Sequence, residues 1–330
     1  MPESKSAVDR NVKHRLIRIV RIVATNVLIF VFLLGLIEVA VRLTHPEIGS
    51  IGIDRGLIDL EAYGESAGLR PGTVGKANGV PLHVDERGFL TYSAGQRDQP
   101  AWLFLGDSVT MGLGVESDST FAGRLAAAQR EWSILNASLV GYSSADYVRV
   151  LSARLEVGSI ARVTVFWTLN DIMAGKPVAT APKGVRLLDT PIMQFVRRYW
   201  YTYQWLKGTF TDRPRAYYSH DVALYDSELD YLDSALSDLA QIKALGDERG
   251  ISFQVVLIPY EYGIRSEDER PHDVMRRELE KMDIDYLDLL PVFRVSERPR
   301  DLYLFGDGIH LSRKGHSVVA KQLLGQLQTP

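Results

Sequence analysis

The chain of 330 residues contains no cysteine. That excludes disulfides, thiolate zinc sites, iron–sulfur clusters and cysteine nucleophiles, and it leaves the fold indifferent to the redox state of its compartment. The chain also lacks an excess of one charge: 38 Lys and Arg stand against 41 Asp and Glu, a formal net charge of −3. Without a basic footprint, no nucleic-acid partner is expected. No internal repeat is visible. What is present is 46% apolar and 24% charged residues, the balance of a globular chain, so extended disorder is excluded. The length suits one large or two ordinary domains.

Charge is unevenly spread. Residues 1–21 hold six basic residues (Lys5, Arg10, Lys13, Arg15, Arg18, Arg21) and two acidic ones, a net of +4, so the remainder carries −7. Directly after this tail, Ile22 to Val41 form a run in which only Glu38 is charged. Twenty residues rise about 30 Å as a helix, the hydrocarbon thickness of a bilayer. Glu38 lies near the distal end, where it can snorkel or pair with Arg42 one turn on. A positive N-terminal flank keeps the tail in the cytoplasm and sends everything after about Thr44 outside. The expectation is a tail over 1–21 and an uncleaved transmembrane helix over 22–43, a single pass through the inner (plasma) membrane. A cleaved signal peptide is the competing reading, but its apolar region is shorter, roughly 7–15 residues, and Glu38-Val39-Ala40 is a poor cleavage site. A buried core helix is the third reading, and the basic tail disfavours it.

Residues 44–98 are rich in Gly and Pro with little periodicity, and read as a juxtamembrane linker or a skirt packed on the main body. From Ala101 a regular alternation begins. Short apolar runs at 101–106, 132–138, 162–169, 251–259 and 284–290 read as strands. Segments 118–130, 144–157, 227–249, 271–282 and 312–327 read as helices. Strands alternating with helices pair in parallel through right-handed crossovers, and continuous apolar runs suit strands covered on both faces. The expected body, 99–330, is a three-layer α/β/α sandwich with about five parallel strands, its ligands beyond the strands' carboxyl ends. Residues 172–226 interrupt the rhythm with Tyr199, Trp200, Tyr201, Tyr203, Trp205, Phe210, Tyr217, Tyr218 and Tyr225. They read equally as a lid or substrate platform and as a helical insertion packing its aromatics inward.

Four candidate positions carry chemistry. The strand at 101–106 runs into Gly106-Asp107-Ser108, placing a hydroxyl at a strand-to-helix turn beside unsatisfied helix N–H groups. Alone, this triplet is as well explained by a helix cap. A Ser hydroxyl needs a base, and among seven His residues His310 lies in a loop between the fifth strand and the last helix. Asp307, three residues earlier, can hold its Nδ1–H and leave Nε2 facing Ser108. His316, inside the helix, reads as structural. Oxyanion donors are also needed; Gly141 follows the second strand and Asn170 ends the third. Each has an ordinary turn-forming explanation, yet all fall on one rim.

These blocks, LGDSVTMG (105–112), NASLVGYS (136–143), TLND (168–171) and DGIH (307–310), resemble the SGNH (GDSL-type) hydrolase family in their order and spread. The likeness covers about 230 residues from Ala101 onward, and the anchored arrangement resembles bacterial membrane-tethered members. It implies a flavodoxin-like sheet, Ser108 as nucleophile, His310 as base oriented by Asp307, and oxyanion donors from the Ser108 N–H, the Gly141 N–H and the Asn170 amide. It implies no metal and no organic cofactor. One departure stands out: the third block usually reads Gly-x-Asn-Asp, and Thr168 replaces the Gly, which is expected to narrow the pocket or shift Asn170. Around Ser108 there is no Gly-x-Ser-x-Gly elbow of the α/β-hydrolase type.

The expected function is a membrane-tethered extracytoplasmic serine ester hydrolase acting on O-acetyl or other O-acyl groups of polysaccharide or envelope glycans, with acylated lipids as a further substrate class. Its partners are the bilayer and the acylated substrate. An O-acyltransferase using the same acyl-enzyme, and a non-catalytic carbohydrate-binding or assembly protein on a degenerate fold, are the alternatives.

Overall fold

The computed structural model describes residues 3–45, 48, 52–95, 98–155, 160–173, 190, 193, 195–196, 199–225 and 230–327, with side chains from His14 onward. The chain opens with one continuous helix, Glu3–Thr44, so the helix expected over 22–43 extends back through the basic tail. Its stretch His14–Thr44 is long and apolar enough to cross a membrane. Leu28, Phe30, Phe32 and Leu43 along it are exposed, while Val41 near its end is buried against the body.

The Gly- and Pro-rich stretch after this helix is more ordered than its composition suggests. It contains two antiparallel hairpins, β1 (Ile58–Tyr63) with β2 (Ser66–Leu69) and β3 (Val74–Ala77) with β4 (Val80–His83). The second turns on Asn78-Gly79, both at positive φ, the tight-turn chemistry that matches strand twist. Leu57, Leu69, Leu82, Phe89 and Leu90 are buried in the main core, and Leu90 bridges to Asn136. The segment is thus packed as a skirt, not strung as a linker.

Five strands, β5 (Ala101–Gly106), β6 (Ser133–Asn136), β7 (Ile160–Trp167), β8 (Ser252–Leu257) and β9 (Asp285–Asp288), form one sheet in the order β6-β5-β7-β8-β9, every pair parallel. Alternate residues face opposite layers, as the two-residue period of a strand requires. Trp102, Phe104, Phe166 and Val256 pack under Phe121, Leu125, Val319 and Leu323 of the helices Phe121–Ala128 and Arg313–Leu327. Leu103, Leu105, Val163, Val165 and Val255 pack under Tyr147, Val150, Leu151, Leu239 and Ile242 of the helices Ser144–Arg154 and Tyr231–Asp247. The result is the three-layer α/β/α sandwich. The strand order reverses around β5: the chain goes to β6 on one side and then to β7 on the other. The crevice beyond such a reversal is where open α/β sheets bind ligands, and Ser108 follows β5 there.

Of the interruption at 172–226, residues 174–189, 191–192, 194, 197–198 and 226 lie outside the described residues. The rest holds two helices, Tyr201–Phe210 and Arg213–Tyr225. The second packs Tyr218, Val222 and Tyr225 inward, and the Trp167 indole donates to the Tyr225 hydroxyl at 2.9 Å. The first buries none of its residues.

Candidate active site

All six residues of β5 are buried, so the strand is a rigid post ending at Gly106. A Cβ on Gly106 would lie 2.1 Å from Thr110 Oγ1; only glycine lets the chain fold back this tightly. Asp107 then caps the single helical turn Ser108–Met111, its Oδ1 accepting the Val109 N–H at 2.8 Å. Ser108 is the first residue of that turn, where a backbone N–H has no intrahelical partner. Its side chain stands 3.4 Å from Asp107 Oδ2.

The loop 304–310 brings the imidazole. The Leu304 N–H donates to the His310 carbonyl at 2.8 Å and the Asp307 N–H to the Leu304 carbonyl at 3.1 Å. Asp307 Oδ1 accepts the Ile309 N–H (2.9 Å), the His310 N–H (2.7 Å) and His310 Nδ1–H (2.9 Å). One carboxylate oxygen therefore fixes both the turn and the ring. With the proton on Nδ1, Nε2 is an acceptor, and Ser108 Oγ lies 2.8 Å from it. Burial alone would disfavour the Asp307 carboxylate, but the His310 charge and these donors outweigh it and draw its pKa down to about 2. Burial likewise disfavours the imidazolium. The Asp307 charge and hydrogen bond more than offset this, and the His310 pKa is raised above its ordinary value.

Asn170 sits in the turn Leu169–Ile172 directly after β7. Its Oδ1 accepts from the Tyr260 hydroxyl at 2.7 Å and lies 2.8 Å from Thr168 Oγ1. Its Nδ2 donates to Asp107 Oδ2 at 3.2 Å, the same oxygen that neighbours Ser108. Two hydroxyls on the carbonyl side thus hold the amide nitrogen toward Ser108, and among the described residues its second N–H makes no hydrogen bond.

Thr168 does not narrow the cleft. It is 1% exposed, and its Oγ1 lies 2.8 Å from Asn170 Oδ1, 3.0 Å from Asp171 Oδ1 and 3.2 Å from Asp107 Oδ2. One hydroxyl proton cannot serve three acceptors. Asp171 Oδ1 is one of those acceptors, and burial, then the Asp107 charge, push the Asp171 pKa well above its ordinary value. Behind Tyr260 stands Asp221, its Oδ2 2.9 Å from the phenol and its pKa raised by burial.

Gly141 follows β6 in the left-handed conformation (φ +83) and is exposed. Among the described residues its N–H makes no hydrogen bond, to the Ser108 group or elsewhere; the adjoining Val140 lines the same cavity as His310. That cavity, of about 350 Å³, is also walled by Ile53, Asn78, Leu113, Gln204, Arg213, Tyr217 and Phe305. The sequence pattern does not single out Tyr260, Asp221, Arg213, Ile53 or Asn78 for this site. A tyrosine just past a strand end is the one available signal, since Tyr260 follows β8 on the same rim.

Two other groups are excluded. His316 is buried, its Nδ1 accepts the Phe121 N–H at 3.2 Å, and burial lowers its pKa to about 3. The spacing Gly-x-Ser-x-Gly does occur, at Gly64–Gly68, but Ser66 lies in β2 and donates to Asp146, and among the described residues no imidazole bonds to it.

A sequence model of the GDSL-like lipase/acylhydrolase family matches residues 104–318, which span four of the five sheet strands and every residue of the Ser108–His310 group. No curated protein matches. Among solved structures, TesA is 17% identical over 69% of this chain and 98% of its own, with a TM-score of 0.43. The psychrotrophic esterase EstA from Pseudoalteromonas sp., inhibited by monoethylphosphonate, is 15% identical over 70% and 97%, TM-score 0.42. A variant of Axe2, an acetyl-xylooligosaccharide esterase from Geobacillus stearmophilus, is 15% identical over 70% and 95%, TM-score 0.41. By the extent of the family match, this chain belongs to the GDSL-like lipase/acylhydrolase family and is a hydrolase of ester bonds.

Proposed function

We propose that the chain is a membrane-tethered, extracytoplasmic serine ester hydrolase acting on O-acyl groups, acetyl above all, of polysaccharide or envelope glycans. The observation that carries this reading is the continuous contact Ser108 Oγ–His310 Nε2–Asp307, at 2.8 and 2.9 Å. In this mechanism Ser108 Oγ attacks the ester carbonyl carbon while its proton passes to His310 Nε2. The developing oxyanion is met by the Ser108 N–H, the Asn170 amide and the Gly141 N–H. The carbon–oxygen bond to the alcohol breaks, and the alcohol leaves with the proton from His310. Water then gives a proton to the freed imidazole and adds to the acyl carbon; the bond to Ser108 Oγ breaks as His310 returns that proton to Oγ, and the carboxylic acid departs. Asp307 stays ionised throughout, in keeping with its depressed pKa.

The location rests on the N-terminal helix and its basic flank: a single pass through the inner membrane, the tail cytoplasmic and the body periplasmic. A cavity that mixes apolar walls with Asn78, Gln204 and Arg213 suits a small acyl group carried on a polar alcohol.

The test uses the full chain purified in detergent. A fluorophosphonate should label wild type stoichiometrically and fail to label Ser108→Ala. Absence of label on folded wild type would remove Ser108 as nucleophile. With an activated acetyl ester, free acetate as the main product supports hydrolysis. Product that depends on added oligosaccharide and carries the acetyl group would replace it with acyl transfer.

A further inference from the structure

The end of the N-terminal helix is bound to the helix that overlies the cleft. Glu38 accepts four hydrogen bonds: from Arg42 Nε at 2.8 Å, the Tyr201 N–H at 3.0 Å, the Thr202 N–H at 2.9 Å and Thr202 Oγ1 at 2.7 Å. Arg42 in turn donates to the Tyr199 carbonyl at 2.8 Å and stands 4.3 Å over the Tyr201 ring. A carboxylate in the last turns of an apolar span must be partnered, and the orphan N–H groups that begin the helix Tyr201–Phe210 partner it.

This fixes a depth. Glu38 lies three residues before Val41, about 4.5 Å along the helix axis. Farther along, the His45 ring is 6.3 Å from Trp205 and 5.5 Å from Phe305. At the far end of the second helix, a Cβ on Gly306 would lie 2.6 Å from Gly208 Cα, so the helix abuts the loop that carries Asp307 and His310. The two helices therefore advance together, from Glu38 beside Tyr201 to the cleft beside Gly208. At the membrane end of this pair, Phe195 is 63% and Tyr199 45% exposed, their rings 5.0 Å apart. Aromatic rings at that depth are what a bilayer interface selects.

On the reading that the N-terminal helix spans the membrane, we infer that the exposed rings of Phe195 and Tyr199 dock on the leaflet facing the body. The start of Tyr201–Phe210 sits in the headgroup layer, and the cleft is held about one helix length, roughly 15 Å, above it. The enzyme then reaches esters presented close to the membrane surface, not ones far out in the surrounding space.

The absence of cysteine makes single-cysteine labelling clean. The full chain is reconstituted in phosphatidylcholine vesicles, with or without brominated acyl chains, carrying a fluorescent label at Phe195→Cys, Tyr199→Cys, Leu28→Cys or Glu248→Cys. Leu28 is mid-span, and Glu248 lies exposed before the amino end of β8, at the far side of the sheet. Labels at 28, 195 and 199 should lose on the order of half their emission to bromine, the depth of an interfacial apolar face, and the label at 248 should lose none. Adding Glu38→Ala to Tyr199→Cys should abolish quenching at 199 while Leu28→Cys keeps it. Quenching at 28 with labels at 195 and 199 behaving like 248 overturns the docking and leaves the tether intact. No quenching at 28 overturns the tether and the docking with it. Neither outcome touches the esterase chemistry, which the fluorophosphonate reports separately.

Discussion

Two histidine–aspartate pairs in this molecule have almost the same geometry and different surroundings. His310 Nδ1 is 2.9 Å from Asp307 and His272 Nδ1 is 2.8 Å from Asp288. Asp288 even ends β9 on the same rim. Yet Asp288 also takes Arg276 at 3.0 Å and the Leu290 N–H at 2.9 Å, whereas Asp307, among the described residues, accepts only from its own loop. The opposite nitrogen separates them further. Nε2 of His310 meets a hydroxyl, while among the described residues no hydrogen bond is made to His272 Nε2, and that ring shares a small apolar gap with Trp167, Pro271 and Met275. A short imidazole–carboxylate contact therefore does not by itself support a catalytic role. What favours His310 in the proposed mechanism is the hydroxyl at its second nitrogen and the cavity that His310 lines.

The largest effect that would break this contrast comes from removing either end of the Ser108–His310 contact. Ser108→Ala or His310→Ala should lower kcat by about 10⁴- to 10⁶-fold, since such groups act as a unit. His272→Ala should leave kcat within about twofold and instead cost about 1–3 kcal/mol of stability, because it strips a hydrogen bond from a buried acid. Steady-state kinetics beside denaturant unfolding reads both. Equal kinetic losses at the two histidines would erase the distinction. Next in size, Asp307→Asn should lower kcat/KM by about 10²- to 10⁴-fold through loss of the tautomer and charge that hold the ring, and Asp288→Asn should not.

The pH profile sharpens the same contrast. In the proposed mechanism His310 must be neutral to take the Ser108 proton, and its pKa is raised, so kcat/KM should climb with pH through a midpoint above 6.5, the ordinary value for histidine. Asp307→Asn should move that midpoint down. Stability follows the opposite sign. The His310 contribution is full below its unfolded pKa, about 6.5, and is lost as pH rises through the folded one. The Asp307 contribution is present above its unfolded value, about 3.9, and is lost as pH falls toward its folded pKa of about 2. Unfolding free energies of wild type and His310→Ala between about pH 5 and 9 should diverge at the acidic end. Parallel curves would mean that Asp307 does not hold the imidazolium.

The sheet is legible in the sequence because its strands are covered on both faces and so appear as unbroken apolar runs; Ala101–Gly106 can be read to the residue. The hairpins are not. Their strands are four to six residues long and alternate weakly, although Asn78-Gly79 carries the turn signal. Ser108, Asp307, His310 and Asn170 can be placed together because parallel topology gathers carboxyl ends at one edge. The supporting shell cannot. Asp221 lies in an inserted helix and Tyr260 after β8, and only the folded chain brings them to Asn170. Thr168 misleads in the other direction: a side chain where a glycine is usual suggests obstruction, and the backbone turns it beneath the site.

Thr168 offers the smallest expected effect and the finest test. Its hydroxyl and that of Tyr260 both face Asn170 Oδ1. Thr168→Val keeps the volume and removes the hydroxyl, so Asn170 loses one of two restraints and Asp171 Oδ1 loses the hydroxyl beside it. A neutral hydrogen bond is worth about 1 kcal/mol, so kcat should fall roughly fivefold with KM little changed, because the proposed oxyanion donor is misplaced, not a substrate contact. Thr168→Ser should restore most of the rate, which a purely packing role would not do, since serine lacks the methyl group that valine keeps. A Val variant with wild-type kcat and lowered stability would make Thr168 a core residue that happens to lie under the site, and would leave Tyr260 alone to hold the amide.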